Sequence, residues 1–253
     1  MKALTLGMAL ATLTVAAAAQ AEPGVSFTFG AGTSLAPAYF GSDDYEFGPT
    51  GTVRLHGLQI GQFSFGSPDP SVERMGWGLR GAFRYLRSRE AADHPELTGL
   101  ADIDAAIELG LGIGYEAERY RAFADLRYGV IGHESFVAEL GADAKLRASD
   151  RLTLTAGPRL LIGSDRYAAT YFGVTPVESV ASGLPAFAAE GGLLTAGVQV
   201  GMAYDLGGDW GLEGTVGYAW LQGDAADSPI TAMGSRTQGT ASLMLTRRFT
   251  LGY

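Results

Sequence analysis

Three features of the sequence predict an all-β fold, a transmembrane antiparallel up-and-down β-barrel of about ten strands behind a cleaved signal peptide. The N-terminus reads as an export signal. Apolar and polar residues alternate through segments of 10 to 13 residues, and Trp and Tyr gather at the segment ends.

The N-terminal element comes first. Met1-Lys2 is a short positive start, Leu4 to Ala18 is an almost unbroken apolar run, and Ala19-Gln20-Ala21 supplies the small residues of a cleavage site. The run is too short to span a bilayer as a stable helix, and its order is that of a signal peptide. Cleavage after Ala21 is expected, which leaves 22–253 as one outer-membrane β-barrel domain. With no cysteine, the chain has no disulfide framework, no thiol catalysis and no acylated-cysteine anchor.

Composition narrows the class. The chain has 37 glycines and 10% aromatic residues but only 18% charged ones. After Ala21 no apolar stretch approaches the roughly 20 residues of a membrane helix. A barrel wall reconciles these facts, because a strand shows lipid only with every second side chain. The formal charge of −9, which loss of Lys2 takes to −10, argues against a nucleic-acid surface.

Strands are expected near 25–35, 48–66, 75–86, 104–116, 119–131, 135–148, 151–162, 193–205, 210–222 and 236–253. In 105–116, Ile107, Leu109, Leu111, Ile113 and Tyr115 oppose Glu108, Gly110, Gly112, Gly114 and Glu116. In 136–148, Phe136, Ala138, Leu140, Ala142, Ala144 and Leu146 oppose Glu139, Gly141, Asp143, Lys145 and Arg147. Such runs exceed the five or six residues usual in soluble sheets and suit a tilted membrane strand. Trp77, Tyr85, Tyr115, Tyr120, Tyr128, Tyr204, Trp210, Tyr218 and Trp220 lie near strand ends, as the aromatic girdles of a barrel do.

Two elements depart from the simple pattern. Segment 48–66 is long for one strand, and His56-Gly57 is a bulge or a tight turn, so twelve strands is the fallback. The last strand alternates through Phe249 and Leu251 to Tyr253, resembling the signal read by the barrel-insertion machinery. Arg247 breaks its apolar face and is expected to snorkel at the interface. Ten strands place the long connections 36–47, 87–103, 163–192 and 223–235 outside and the short ones in the periplasm, the usual asymmetry.

The loops carry a resemblance. In order come Pro37-Ala38-Tyr39-Phe40-Gly41-Ser42-Asp43-Asp44-Tyr45, Gly157-Pro158-Arg159, Gly163-Ser164-Asp165-Arg166-Tyr167, Thr170-Tyr171-Phe172-Gly173-Val174, Ser182-Gly183-Leu184-Pro185-Ala186-Phe187 and Leu221 to Ile230 with Gly223, Asp224, Asp227, Ser228 and Pro229. This series resembles the MipA/OmpV family of outer-membrane proteins (MltA-interacting protein-like) over essentially the whole mature chain. The resemblance implies an integral barrel of the Gram-negative outer membrane, embedded in lipid and lipopolysaccharide. It further implies a non-enzymatic scaffold that holds a murein lytic transglycosylase together with a penicillin-binding protein. The alternative is a porin-like channel for small polar solutes.

Turn chemistry explains about half of each loop motif. Tyr39, Tyr45, Tyr171, Phe172 and Phe187 are expected to pack a long loop over or into the barrel mouth rather than to bind a ligand. One cluster carries catalytic chemistry. His133-Glu134-Ser135 resembles the H-x-S arrangement of PagL-type lipid A deacylases, with Glu139 near enough to orient the imidazole. It falls where a plain outer turn is expected, so His133 and Ser135 stay the lesser reading. His56 and His94 are taken as surface residues. Asp43, Asp44, Asp165, Asp224 and Asp227 form a solvated acidic rim, without calcium-loop spacing. No metal or cofactor is expected. Arg80 and Arg84 on the lumen face, with Glu108, Glu116, Glu139, Asp143, Lys145 and Arg147 on other strands, should form cross-barrel ion pairs.

Overall fold

The computed structural model describes residues 24–60, 63–66 and 75–252. The expected signal segment 1–21, the connection 67–74 and Tyr253 lie outside the described residues. One antiparallel sheet curls into a nearly closed barrel. Its strands are β1 (Gly24–Pro37), β2 (Tyr45–Ile60), β3 (Phe63–Gly66), β4 (Gly76–Leu86), β5 (Ala106–Glu116), β6 (Tyr120–Ile131), β7 (Phe136–Arg147), β8 (Leu152–Gly163), β9 (Gly192–Gly207), β10 (Trp210–Leu221) and β11 (Thr237–Gly252). Ten of these are long, and β3 is a four-residue arm folded back on the end of β2.

Neighbours in sequence are neighbours in the sheet, and β1 pairs with β11 from Gly24↔Gly252 to Leu35↔Ala241, so the first and last strands meet in the wall. The segment expected as one strand over 48–66 is corrected to β2 plus β3. Its bulge is real: Ser26 faces Gly57 and Phe27 faces Leu55, which leaves His56 as the extra residue. The remaining interruption is a seam. Among the described residues no ladder joins β2 or β3 to β4, although β2 and β4 run side by side. Arg87, just past β4, bridges the seam at its outer end, where its guanidinium donates to Glu46 Oε2 and to the Phe47 carbonyl, each at 3.1 Å.

Alternation sorts the wall into two faces. Leu111 is 70% exposed on the outside of β5, whereas Glu108 of the same strand is fully buried inside. Aromatic residues ring both rims of the outer face. Trp77, Tyr115 and Tyr120 pack ring against ring near the periplasmic ends, with Trp77 and Tyr115 directly paired across β4 and β5. Tyr128 packs on Phe136 and Tyr218 on Trp220 near the outer ends. Arg247 lies over the rings of Trp210 and Phe249 at 5.0 and 5.2 Å, a cation held on the girdle.

The described periplasmic turns, β5–β6, β7–β8 and β9–β10, are short. Gly208 and Asp209, both with positive φ, join β9 to β10 as a two-residue hairpin loop of the primed kind requires. The outer connections hold helices that alternation does not reveal: α1 (Asp165–Phe172), α2 (Pro176–Ser182), α3 (Gly223–Asp227) and α4 (Pro229–Met233).

Candidate functional site

The outer mouth and upper lumen gather the chemically capable side chains. Ionic bonds line the inner face. Arg80 pairs with Asp125 at 3.0 Å, Arg127 with both Glu108 and Glu139 at 2.8 Å, and Asp143 with Arg121 and Arg159 at 2.8 Å. Lys145 meets Glu116, and Arg54 of β2 reaches Glu213 of β10 across the sheet order. Gly112 makes room for one pair, because a Cβ there would strike the Asp125 carboxylate and the Ala124 carbonyl. The expected partners of the lumen carboxylates are thus largely Arg127, Arg121 and Arg159 rather than Arg84, which forms no ion pair among the described residues and lies 5.7 Å from the Phe40 ring centroid.

Above this layer the outer loops form a cap with two apolar clusters. In one, Tyr167, Ala168, Tyr171 and Phe172 of α1 pack with Val137, Leu161, Leu194, Leu221 and Ala225, and Phe40 and Phe187 lie against them. In the other, Tyr39, Leu97, Leu100, Val174 and Ile230 pack together. Polar side chains lock the loops to one another. Tyr39 OH donates to Glu96 Oε1 at 2.9 Å, Ser228 Oγ to the Phe172 carbonyl at 2.7 Å, and the Ala101 N–H to Glu178 Oε1 at 2.9 Å. Burial pushes the Tyr39, Tyr167 and Tyr171 phenols up, so all three stay protonated donors.

The residues quoted from the loop motifs are spread through this cap. Gly41 takes a positive φ beside Thr231, and its N–H donates to Gln238 Oε1. Asp44 donates its N–H to Ser42 Oγ, and Tyr45, exposed at the rim, accepts the Gly239 N–H on its hydroxyl. Asp165 and Asp224 accept the backbone N–H groups of Gly191 and Glu190, while Asp227 meets Arg236 at the surface. Ser182 bonds the Glu178 carbonyl and the Leu184 N–H, Gly183 is the left-handed cap of α2, and Pro185 is exposed beyond it. Gly223 opens α3, and Pro229 opens α4 behind Ser228.

His133 and Ser135 sit in the outer turn between β6 and β7, buried under the cap. The Ser135 N–H donates to His133 Nδ1 at 3.2 Å, so Nδ1 is the acceptor, and the Ser135 hydroxyl 2.7 Å away donates to the same nitrogen. Nε2 lies 3.3 Å from Glu108 Oε1, out of line for a full hydrogen bond. The expected orienting carboxylate is corrected: Glu108 faces the imidazole, and Glu139 is engaged by Arg127. The groups follow the serine–base–acid order that acyl transfer uses. Ser135 is only 4% exposed, however, and the rings of Tyr167 and Tyr171 close over His133 at 4.9 and 5.8 Å. His56 and His94 are also corrected. His56 is partly buried and bonds Thr28 Oγ1 at 2.8 Å, and His94 packs edge-on against Tyr39.

Sequence reasoning missed the cavity beneath the cap. Its volume is about 490 Å³, and Arg84, Arg89, Arg127, Arg159 and Tyr171 line it together with Glu139. Arginines of matching parity on separate strands were the available signal, but Arg89 lies in a loop and could not be placed.

The family model described as MltA-interacting protein MipA matches residues 29–249 of the chain. No curated protein sequence matches it. Among solved structures, an outer membrane channel from Pseudomonas putida F1 is similar at 12% identity and a TM-score of 0.42, covering 93% of this chain and 100% of that one. The translocator domain of the autotransporter NalP from Neisseria meningitidis is similar at 12% identity and a TM-score of 0.41, covering 92% and 90%.

Proposed function

We propose, from the premise that this chain belongs to the MltA-interacting protein MipA family, that it is a non-enzymatic scaffold for murein-remodelling enzymes. The protein is an integral β-barrel of the Gram-negative outer membrane. Residues 1–21 would direct its export and be removed. The partners in this reading are MltA, which the family description names and which is taken here as a murein lytic transglycosylase, and a penicillin-binding protein.

The observation that carries the reading is the apolar cap. Tyr167, Phe172, Leu97 and Ile230 are at most 1% exposed, so the loops are packed as a core across the outer mouth rather than left as mobile rims. A braced, capped barrel is a rigid platform, and its periplasmic turns are the surface within reach of murein. Two of them carry exposed charge pairs, Glu118-Arg119 and Asp150-Arg151. Burial of Ser135, beside a His133 ring that Tyr167 covers, supports the non-enzymatic side of the reading.

Crosslinking in native membranes followed by pull-down tests it. A murein hydrolase or synthase should co-purify, and alanine at Glu118, Arg119, Asp150 and Arg151 should abolish the capture while the barrel still inserts. Absence of both enzyme classes from the wild-type capture would overturn the scaffold. A channel for small polar solutes is the second reading, favoured by the cavity under the cap, and steady single-channel current in planar bilayers would support it over the scaffold.

A further inference from the structure

We propose that the cavity under the cap binds a small solute bearing an oxyanion, gripped by Arg84, Arg127 and Tyr171. The site is independent of any periplasmic partner and so goes beyond the scaffold reading.

The cavity carries an excess of positive charge. Five arginines line it, Arg84, Arg87, Arg89, Arg127 and Arg159, against the single carboxylate Glu139. Arg87 is met by Glu46, Arg159 by Asp143, and Arg127 by Glu108 and Glu139. Arg84 and Arg89 form no ion pair with a carboxylate among the described residues; Arg89 directs Nη1 and Nη2 to the carbonyls of Tyr171 and Ala101, and its Nε has no partner among the described residues. Arg84 faces the cavity beside the Phe40 ring, with Glu108, Glu139, Tyr167 and Tyr171 within electrostatic reach but none in an ion pair with it.

Buried donors on the same space have hydrogen bonds left to make. Arg127 is 3% exposed and Tyr171 6%, yet Arg127 Nη2 and Tyr171 OH have no hydrogen-bond partner among the described residues. Buried donors left unpaired are costly, and a ligand acceptor removes the cost. A guanidinium fork and a phenol converging on one space suit a carboxylate or a phosphate group, whose oxygens accept several bonds at once. Phe40 and Leu161 in the lining give an organic body something to lie against. The volume falls within the range of small-molecule sites.

The seam borders the site. Pro49, Thr50 and Gly51 of β2 and Phe83 to Leu86 of β4 both line the cavity, and these strands flank the line where no ladder is formed among the described residues.

The test is calorimetric titration of the full barrel in non-ionic detergent at fixed chloride. The probes are inorganic phosphate, acetate, benzoate and octanoate. Saturable binding of one or more is expected. Phosphate alone would identify a phosphate site, and benzoate or octanoate exceeding acetate would identify an organic carboxylate site. Arg84→Gln should weaken binding about tenfold or more, as loss of a charge-assisted bond does, and Tyr171→Phe somewhat less. Arg236→Gln, which touches Asp227 outside the cavity, should change nothing. If Arg84→Gln does not fold, Tyr171→Phe decides, since it removes a single hydroxyl. Failure of every probe to saturate, or equal binding by the variants and Arg236→Gln, overturns the site.

Discussion

Arg127 Nε donates to Glu108 Oε2 at 2.8 Å, and both side chains are almost wholly withdrawn from solvent, at 3% and 0% exposure. The pair joins β6 to β5 inside the barrel, and Glu139 of β7 takes a second bond from the same guanidinium. Removing the cation strands two carboxylates. Arg127→Met should therefore destabilise the barrel by about 3–5 kcal/mol, and Glu108→Gln in the same background should restore some of the loss. Urea unfolding in lipid vesicles reads both; additive losses would show that the pair is not coupled.

Leu111, at the middle of β5 on the outer face, tests which side meets acyl chains. Leu111→Arg should cost about 2–4 kcal/mol in vesicles. A water-facing wall would tolerate it at nearly no cost.

Phe172 ends α1 and is 1% exposed in the cap. Phe172→Ala should loosen the cap by about 3–5 kcal/mol at most while the sheet persists. Amide exchange should rise across 164–191 and stay low in β8 and β9, and ion conductance should increase. Uniform exchange throughout would mean that cap and barrel unfold together.

Burial alone would raise the Glu178 carboxyl, but bonds from the Thr175 hydroxyl and from the N–H groups of Ala101 and Thr175 hold it below the usual carboxylate value. A depressed folded value stabilises the charged form. The contribution is present above the unfolded value of about 4.3 and is lost as pH falls through the folded one. Protease protection of the 175–183 turn should drop on acidification. Glu178→Ala should remove about 0.5–2 kcal/mol of local stability at neutral pH and flatten that response.

Ser135→Ala should leave lipid A acylation in intact cells unchanged, because the hydroxyl is buried and serves His133, whose ring Tyr167 covers. Loss of acylation turnover in the variant would restore the deacylase reading.

The wall was legible in the sequence because its cause is local. Alternation depends only on parity, and the long strands fall within a few residues of where Trp77, Leu111 or Val216 change sides. The arm β3 was not legible, since the apolar character of 48–66 continues through the place where the chain turns back. Nor were the cap helices. Eight residues of α1 are too few to be helical alone, and its helix exists because Tyr167, Ala168, Tyr171 and Phe172 find partners on other loops. The carboxylate facing His133 was misassigned for a similar reason. Glu108 is 25 positions away in sequence and reaches His133 only through the register that sets Ile107 opposite Ile131.

The seam fixes where this wall gives way. β1 and β11 are zipped together along most of their length, so a membrane that thins or stretches will not split the cylinder between its first and last strands. The opening falls a single hairpin away, where Arg87 is the clasp and, among the described residues, no row of amides must be broken. Mechanical compliance in this protein is therefore concentrated along a single line rather than shared around the circumference.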